Sequence, residues 1–181
     1  IYTGLRGVGK TVLLNQMEEL AKKESIECRH IEVENRNDFI SQIITCCQVF
    51  LRNISTGERM KQTISKAVDA LKSLAVSFSP ESSTFSLSMQ EQELYKTTNL
   101  TQSLTDVFIS VGEAARDANK PICFFIDEMQ YMKGNELSSL IAALHRANQL
   151  NLPIMIVGAG LPKLYKMLAE EKTYTERLFL Y

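Results

Sequence analysis

Gly4-Leu5-Arg6-Gly7-Val8-Gly9-Lys10-Thr11 sets three glycines, a lysine and a hydroxyl at fixed intervals near the amino end of the chain. The pattern satisfies G-x-x-x-x-G-K-[ST], and each fixed position has a chemical reason. Glycines let the backbone turn tightly enough for successive N–H groups to face one anion. A helix beginning near Lys10 adds the positive end of its dipole to the same pocket. Lys10 brings a mobile cation to the β- and γ-phosphates, and the Thr11 hydroxyl is a ligand for Mg²⁺. Gly4, Gly7, Val8, Gly9, Lys10 and Thr11 are therefore the candidate nucleotide-binding residues, whereas Arg6 reads as a solvated loop side chain.

A second constellation, Phe124-Phe125-Ile126-Asp127-Glu128, ends an apolar run with two carboxylates. Open α/β sheets bind ligands at the carboxyl edge of their strands, so the pair falls beside the phosphate loop. Asp127 is then the second candidate Mg²⁺ ligand. Glu128 is the candidate catalytic residue that orients or deprotonates an attacking water. The competing reading is an acidic helix cap with no catalytic role. Two acids favour hydrolysis over transfer to a small acceptor, and no Arg cluster suggests the closing lid of a small-molecule kinase. Asn119-Lys120 is followed by Pro-Ile and precedes a strand, so the guanine-reading N-K-x-D arrangement is lacking and ATP is favoured over GTP.

The elements that must hold these residues alternate. A short apolar stub, Ile1-Tyr2-Thr3, precedes the loop. Ile26 to Asn35 reads as a strand nearer a sheet edge, while Pro121–Ile126 and Pro153–Val157 are continuous apolar strands of the kind found in parallel sheets covered on both faces. Leu178–Tyr181 reads as the start of a fifth strand. Helical spacing marks Val12, Leu13, Met17 and Leu20, then Leu100 to Ala115, then Leu137, Leu140, Ile141 and Leu144. The fold class expected is α/β, with three layers and right-handed crossovers. Residues 53–99 break the alternation as an insertion. It has a helix over Glu58–Leu74 and then either a β-hairpin, with Val76 and Phe78 on one arm and Phe85, Leu87 and Met89 on the other, or a loop.

Composition agrees with one globular domain: 181 residues, 45% hydrophobic and 23% charged. Twenty Lys and Arg against 21 Asp and Glu give no strong basic field for nucleic acid or an acidic membrane, and leave room only for a weakly basic patch. The longest apolar run is about half a membrane span. Cys28, Cys46, Cys47 and Cys123 lack metal-binding spacing and read as reduced thiols, which favours a cytoplasmic location.

Together GLRGVGKT, FFIDEMQYM, LHRANQLNLPIMIVGAGLPKL and YTERLFLY resemble the bacterial AAA-type ATP-binding proteins of the P-loop NTPase superfamily, often grouped with origin-recognition-like ATPases. The resemblance runs almost from Ile1 to Tyr181. It implies an ATPase core with strand order 5-1-4-3-2, here clipped at the amino end and lacking the helical lid that follows such cores. It also implies a polar sensor at the end of the fourth strand, where this chain has Gly158-Ala159-Gly160. By the same resemblance, Arg177 matches an arginine finger acting on a neighbouring subunit, with an Arg snorkelling over the sheet edge as the alternative. Asn35 resembles a polar residue that restrains the catalytic Glu, although a turn or helix-cap Asn before Asn37-Asp38 is the favoured reading. Gln130 and Tyr131 read as structural or partner-facing, and His145-Arg146 as a solvated face.

Three functions remain open on the sequence. One is an ATPase that uses ATP and Mg²⁺ and couples nucleotide state to conformation. Another is an ATP/ADP switch with little hydrolysis, which the Gly158-Ala159-Gly160 departure favours. A DNA-associated ATPase rests on family analogy alone. A homo-oligomer is expected if Arg177 is a finger, and protein or DNA clients would bind through regions outside this chain; no membrane partner is expected.

Overall fold

The computed structural model describes residues 1–34, 39–54, 60–78 and 99–171. Its elements are β1 (Tyr2–Thr3), α1 (Lys10–Lys23), β2 (Glu27–Glu32), α2 (Phe39–Ile54) and α3 (Lys61–Phe78). These are followed by α4 (Leu100–Asp117), β3 (Ile122–Asp127), a 3₁₀ turn (Met129–Tyr131), α5 (Gly134–Gln149), β4 (Ile154–Gly160) and α6 (Lys163–Glu171).

The four strands form one parallel sheet in the order β1-β4-β3-β2. This is the implied order without its fifth strand, whose residues lie outside those described. β3 is central, and all six of its residues are buried. Its alternation divides the core. Ile122, Phe124 and Ile126 face the larger core, built with α2 to α6, and Phe124 stacks on Phe108 of α4 with ring centroids 5.9 Å apart. Cys123 and Phe125 face a smaller cluster with Leu14 of α1, Cys28 and Ala159. A strand with both faces covered has no solvent side, hence the unbroken apolar run.

Helix α2 is one that the strand–helix alternation left unassigned. Phe39, Ile40, Ile43, Ile44, Cys47, Phe50, Leu51 and Ile54 are its buried residues, recurring at the three-to-four spacing of a single helical face. The insertion also needs correction. Val76 and Phe78 are the last turn of α3, not a hairpin arm. Ala67, Leu71, Leu74 and Ala75 bury a stripe against α4, and that packing carries the helix on past the β-favouring pair. The other arm, Phe85 to Met89, lies outside the described residues.

All four cysteines are free thiols, three of them buried. Burial pushes the Cys46 thiol up to about 11 and Cys123 to about 12, and it raises Cys28 and Cys47 as well. They act as small core residues rather than nucleophiles. Among the described residues, no helix is long and apolar enough to cross a membrane.

Candidate functional site

The connection from β1 to α1 is where the backbone departs most from ordinary strand and helix. Gly7 and Gly9 adopt φ of +80° and +83°, a region that costs an L side chain roughly 1–2 kcal/mol. Gly9 is also the cap residue of α1, so the first free N–H groups of that helix open at the end of the loop. Lys10 folds back across the turn, its Nζ donating to the carbonyls of Gly4 at 3.0 Å and Leu5 at 2.9 Å. The Gly4 N–H donates to the Gly160 carbonyl at 3.2 Å, which pins the start of the loop to β4. Val8 stands exposed at the loop's outer edge.

Thr11 and Asp127, 116 residues apart in the chain, meet here. The Thr11 hydroxyl donates to Asp127 Oδ2 at 2.6 Å, a charge-assisted bond. Asp127 Oδ1 accepts the Glu128 N–H at 2.8 Å, so this carboxylate, only 2% exposed, has a donor on each oxygen. The parallel placement of β1, β4 and β3 brings this about: both the loop and the acidic pair leave the sheet at its carboxyl edge.

Glu128 takes φ 55° and ψ 33°, the left-handed region, which is uncommon for a residue with a side chain. The backbone turns there from strand into the 3₁₀ turn, and Glu128 lines a cleft of about 650 Å³. Arg6, Lys10, Glu32, Glu34 and Tyr131 line it too, together with Gly7, Gly9 and Thr11. Glu128 stands at the cap position of that turn, but its side chain makes no capping hydrogen bond to it.

Several members of the cleft were not foreseen. Glu32 lies beside Asp127 in the β2–β3 register, and Glu34 follows two residues on, so both reach the cleft because β2 is β3's neighbour. Arg6, read above as merely solvated, donates from Nη2 to the Tyr131 hydroxyl at 3.1 Å, while the Lys163 ammonium sits 5.1 Å from that ring's centroid. Gln130, read above as structural or partner-facing, is buried, and its amide reaches Glu128. Arg177 and Asn35 lie outside the described residues.

Gly158-Ala159-Gly160 belongs to β4 itself rather than to a loop beyond it. A Cβ on Gly158 would collide with Met129 Sδ, and one on Gly160 would stand 2.7 Å from Gln130 Oε1 and 2.8 Å from Leu164 Cδ2. Gly158 and Gly160 thus lack a Cβ where Met129, Gln130 and Leu164 occupy the space.

A family model described as an AAA ATPase domain matches residues 3–157. No curated protein shows significant similarity to the chain. The match spans the phosphate loop, the acidic pair and most of β4, and the chain belongs to the AAA ATPase domain family.

Proposed function

We propose that this chain binds ATP with Mg²⁺ at the cleft and hydrolyses it, as a module that couples nucleotide state to conformation. The observation that carries the reading is the 2.6 Å contact between Thr11 and Asp127 beside the lysine of a glycine-cornered loop. A hydroxyl and a carboxylate oxygen are hard donors of the kind Mg²⁺ takes, and Mg²⁺ is commonly held by one or two protein oxygens with substrate phosphate and water. The cleft's charges point the same way. Arg6 and Lys10 share the cleft with Glu32, Glu34 and Glu128, whose negative charge a divalent cation would help to offset when a polyanion binds. When bound, Mg²⁺ would supply charge neutralisation of the phosphate oxygens.

The chain's own groups would do the rest. The N–H groups of Val8 to Thr11 would surround the phosphates, and Lys10 would exchange its carbonyl partners for β- and γ-oxygens. Glu128 would accept a proton from the attacking water. That water's oxygen bonds to the γ-phosphorus while the bond to the β–γ bridging oxygen breaks, leaving ADP and inorganic phosphate. We further propose that Arg177 acts in trans within a homo-oligomer and that the origin-recognition-like grouping, which rests on the GAGLP and ERLF segments, extends to this chain. A cytoplasmic location is part of the same reading.

A second reading, a nucleotide switch that barely turns over, is favoured by the lack of a polar side chain at Gly158-Ala159-Gly160. Phosphate release separates the two. Under the ATPase reading, the full chain with excess Mg-ATP releases many phosphates per protein, and EDTA abolishes the release. A single slow event followed by a stall would establish the switch instead.

A further inference from the structure

We infer that Gln130 is a positioning residue for Glu128, tying its carboxylate to the end of β4 where that strand offers no polar side chain of its own. The inference rests on the proposed role of Glu128 as the base.

Gln130 is 3% exposed, so both ends of its amide need partners, and both have them. Its Nε2 donates to Glu128 Oε2. Its Oε1 accepts the Leu161 N–H at 2.8 Å, the first amide beyond β4 and 31 residues further along the chain. One side chain thus links the candidate base to the β4–α6 junction. The direction of the amide is fixed, because a backbone N–H can only donate and an ionised carboxylate can only accept. A reversed amide would lose both bonds.

The surrounding sequence is shaped to admit this bridge. Gly160 is compatible with it because any Cβ there would press on Gln130 Oε1. Met129, on the same turn, occupies the corresponding space over Gly158. The backbone at Glu128 is left-handed, the residue lines the cleft, and the Gln130 amide holds one of its carboxylate oxygens, Oε2. Asp127 has both its oxygens engaged by Thr11 and by the Glu128 amide, so Gln130 acts on the base and not on the neighbouring carboxylate. Movement of the β4–α6 junction would reach Glu128 through two hydrogen bonds.

Two substitutions test the bridge in the full chain, with Mg-ADP binding measured in each. Gln130→Met keeps the length and buried volume and removes both bonds. Its kcat should fall roughly tenfold with KM for ATP nearly unchanged, the signature of a lost alignment rather than lost binding. Gln130→Glu retains the acceptor for the Leu161 N–H but places a second carboxylate against Glu128. Like charges repel, so this variant breaks the bridge on its Glu128 side alone, and kcat should fall with KM for ATP nearly unchanged, as in Gln130→Met. A filler of space, whose volume both variants keep, would leave kcat unchanged. In a Glu128→Gln background, Gln130→Met should cost nothing further, since its effect runs through the missing carboxylate.

An unchanged kcat in both variants would overturn the inference, as would a full additional loss in the Glu128→Gln background. Loss of Mg-ADP binding in both variants would overturn it too, by assigning Gln130 to the scaffold alone. Unimpaired turnover by Glu128→Gln itself would instead remove the base assignment on which the inference stands, so the two failures are distinguishable.

Discussion

Replacing Glu128 by Gln should lower the turnover of Mg-ATP by roughly 10²–10⁴-fold, the range a positioned general base contributes. The amide keeps the size of the side chain and can still lie in the cleft, but it takes no proton at neutral pH. The bond from Gln130 to this residue also changes, because an amide offers one acceptor where the carboxylate offered two. Binding should survive, since Glu128 reaches the cleft from the turn after β3 while the phosphate loop and the Thr11–Asp127 contact are left intact. Steady-state phosphate release and Mg-ATP affinity, measured on the same preparation, check both halves. An unchanged affinity with collapsed kcat is expected; equal loss of both would show that the residue holds the loop together rather than serving the chemistry.

Lys10→Ala should have the second largest effect, and it falls on binding. The ammonium is the mobile cation of the loop, parked on the Gly4 and Leu5 carbonyls in a geometry it can leave for a phosphate. A hydrogen bond to a charged group is worth about 1.5–3 kcal/mol, so removing it weakens ATP affinity by roughly 10- to 150-fold. Turnover falls with it if the lysine also meets charge that develops on the γ-phosphoryl group. The loop itself should persist, because its shape comes from the glycine conformations at Gly7 and Gly9 and from the Gly4–Gly160 backbone bond, neither of which involves the side chain. An equilibrium titration with a fluorescent ATP analogue reads the loss directly, and the far-UV circular dichroism spectrum should be unaltered.

The parts of the site that were legible in the sequence are those governed by short spacing. Gly4 to Thr11 is a short loop whose residue types stand at set intervals, and Asp127-Glu128 closes a short Pro-led apolar run that reads as a buried strand. Buried helical stripes such as Leu137, Leu140, Ile141 and Leu144 were equally plain. Other features depend on contacts across the chain. Gln130 looks unremarkable in sequence because one of its partners, the Leu161 N–H, is a backbone group that no residue type announces. Glu32 and Glu34 reach the cleft only through the neighbouring position of β2. The end of α3 was misread for the opposite reason: Val76 and Phe78 carry a local β preference, and burial of Leu71, Leu74 and Ala75 against α4 overrides it. The lack of a polar side chain at Gly158-Ala159-Gly160 is plain in sequence, but that Gly158 and Gly160 also give clearance to Met129 and Gln130 depends on the packing.

The central claim is that one cleft at the carboxyl edge of the sheet accepts ATP together with Mg²⁺. Calorimetric titration of ATP into the full chain, with Mg²⁺ and again with EDTA, tests it most directly. The account predicts saturable heat at a stoichiometry of about one in the presence of Mg²⁺, as a single phosphate loop requires, and its loss when the metal is removed. No heat under either condition, or equal heat under both, would contradict it.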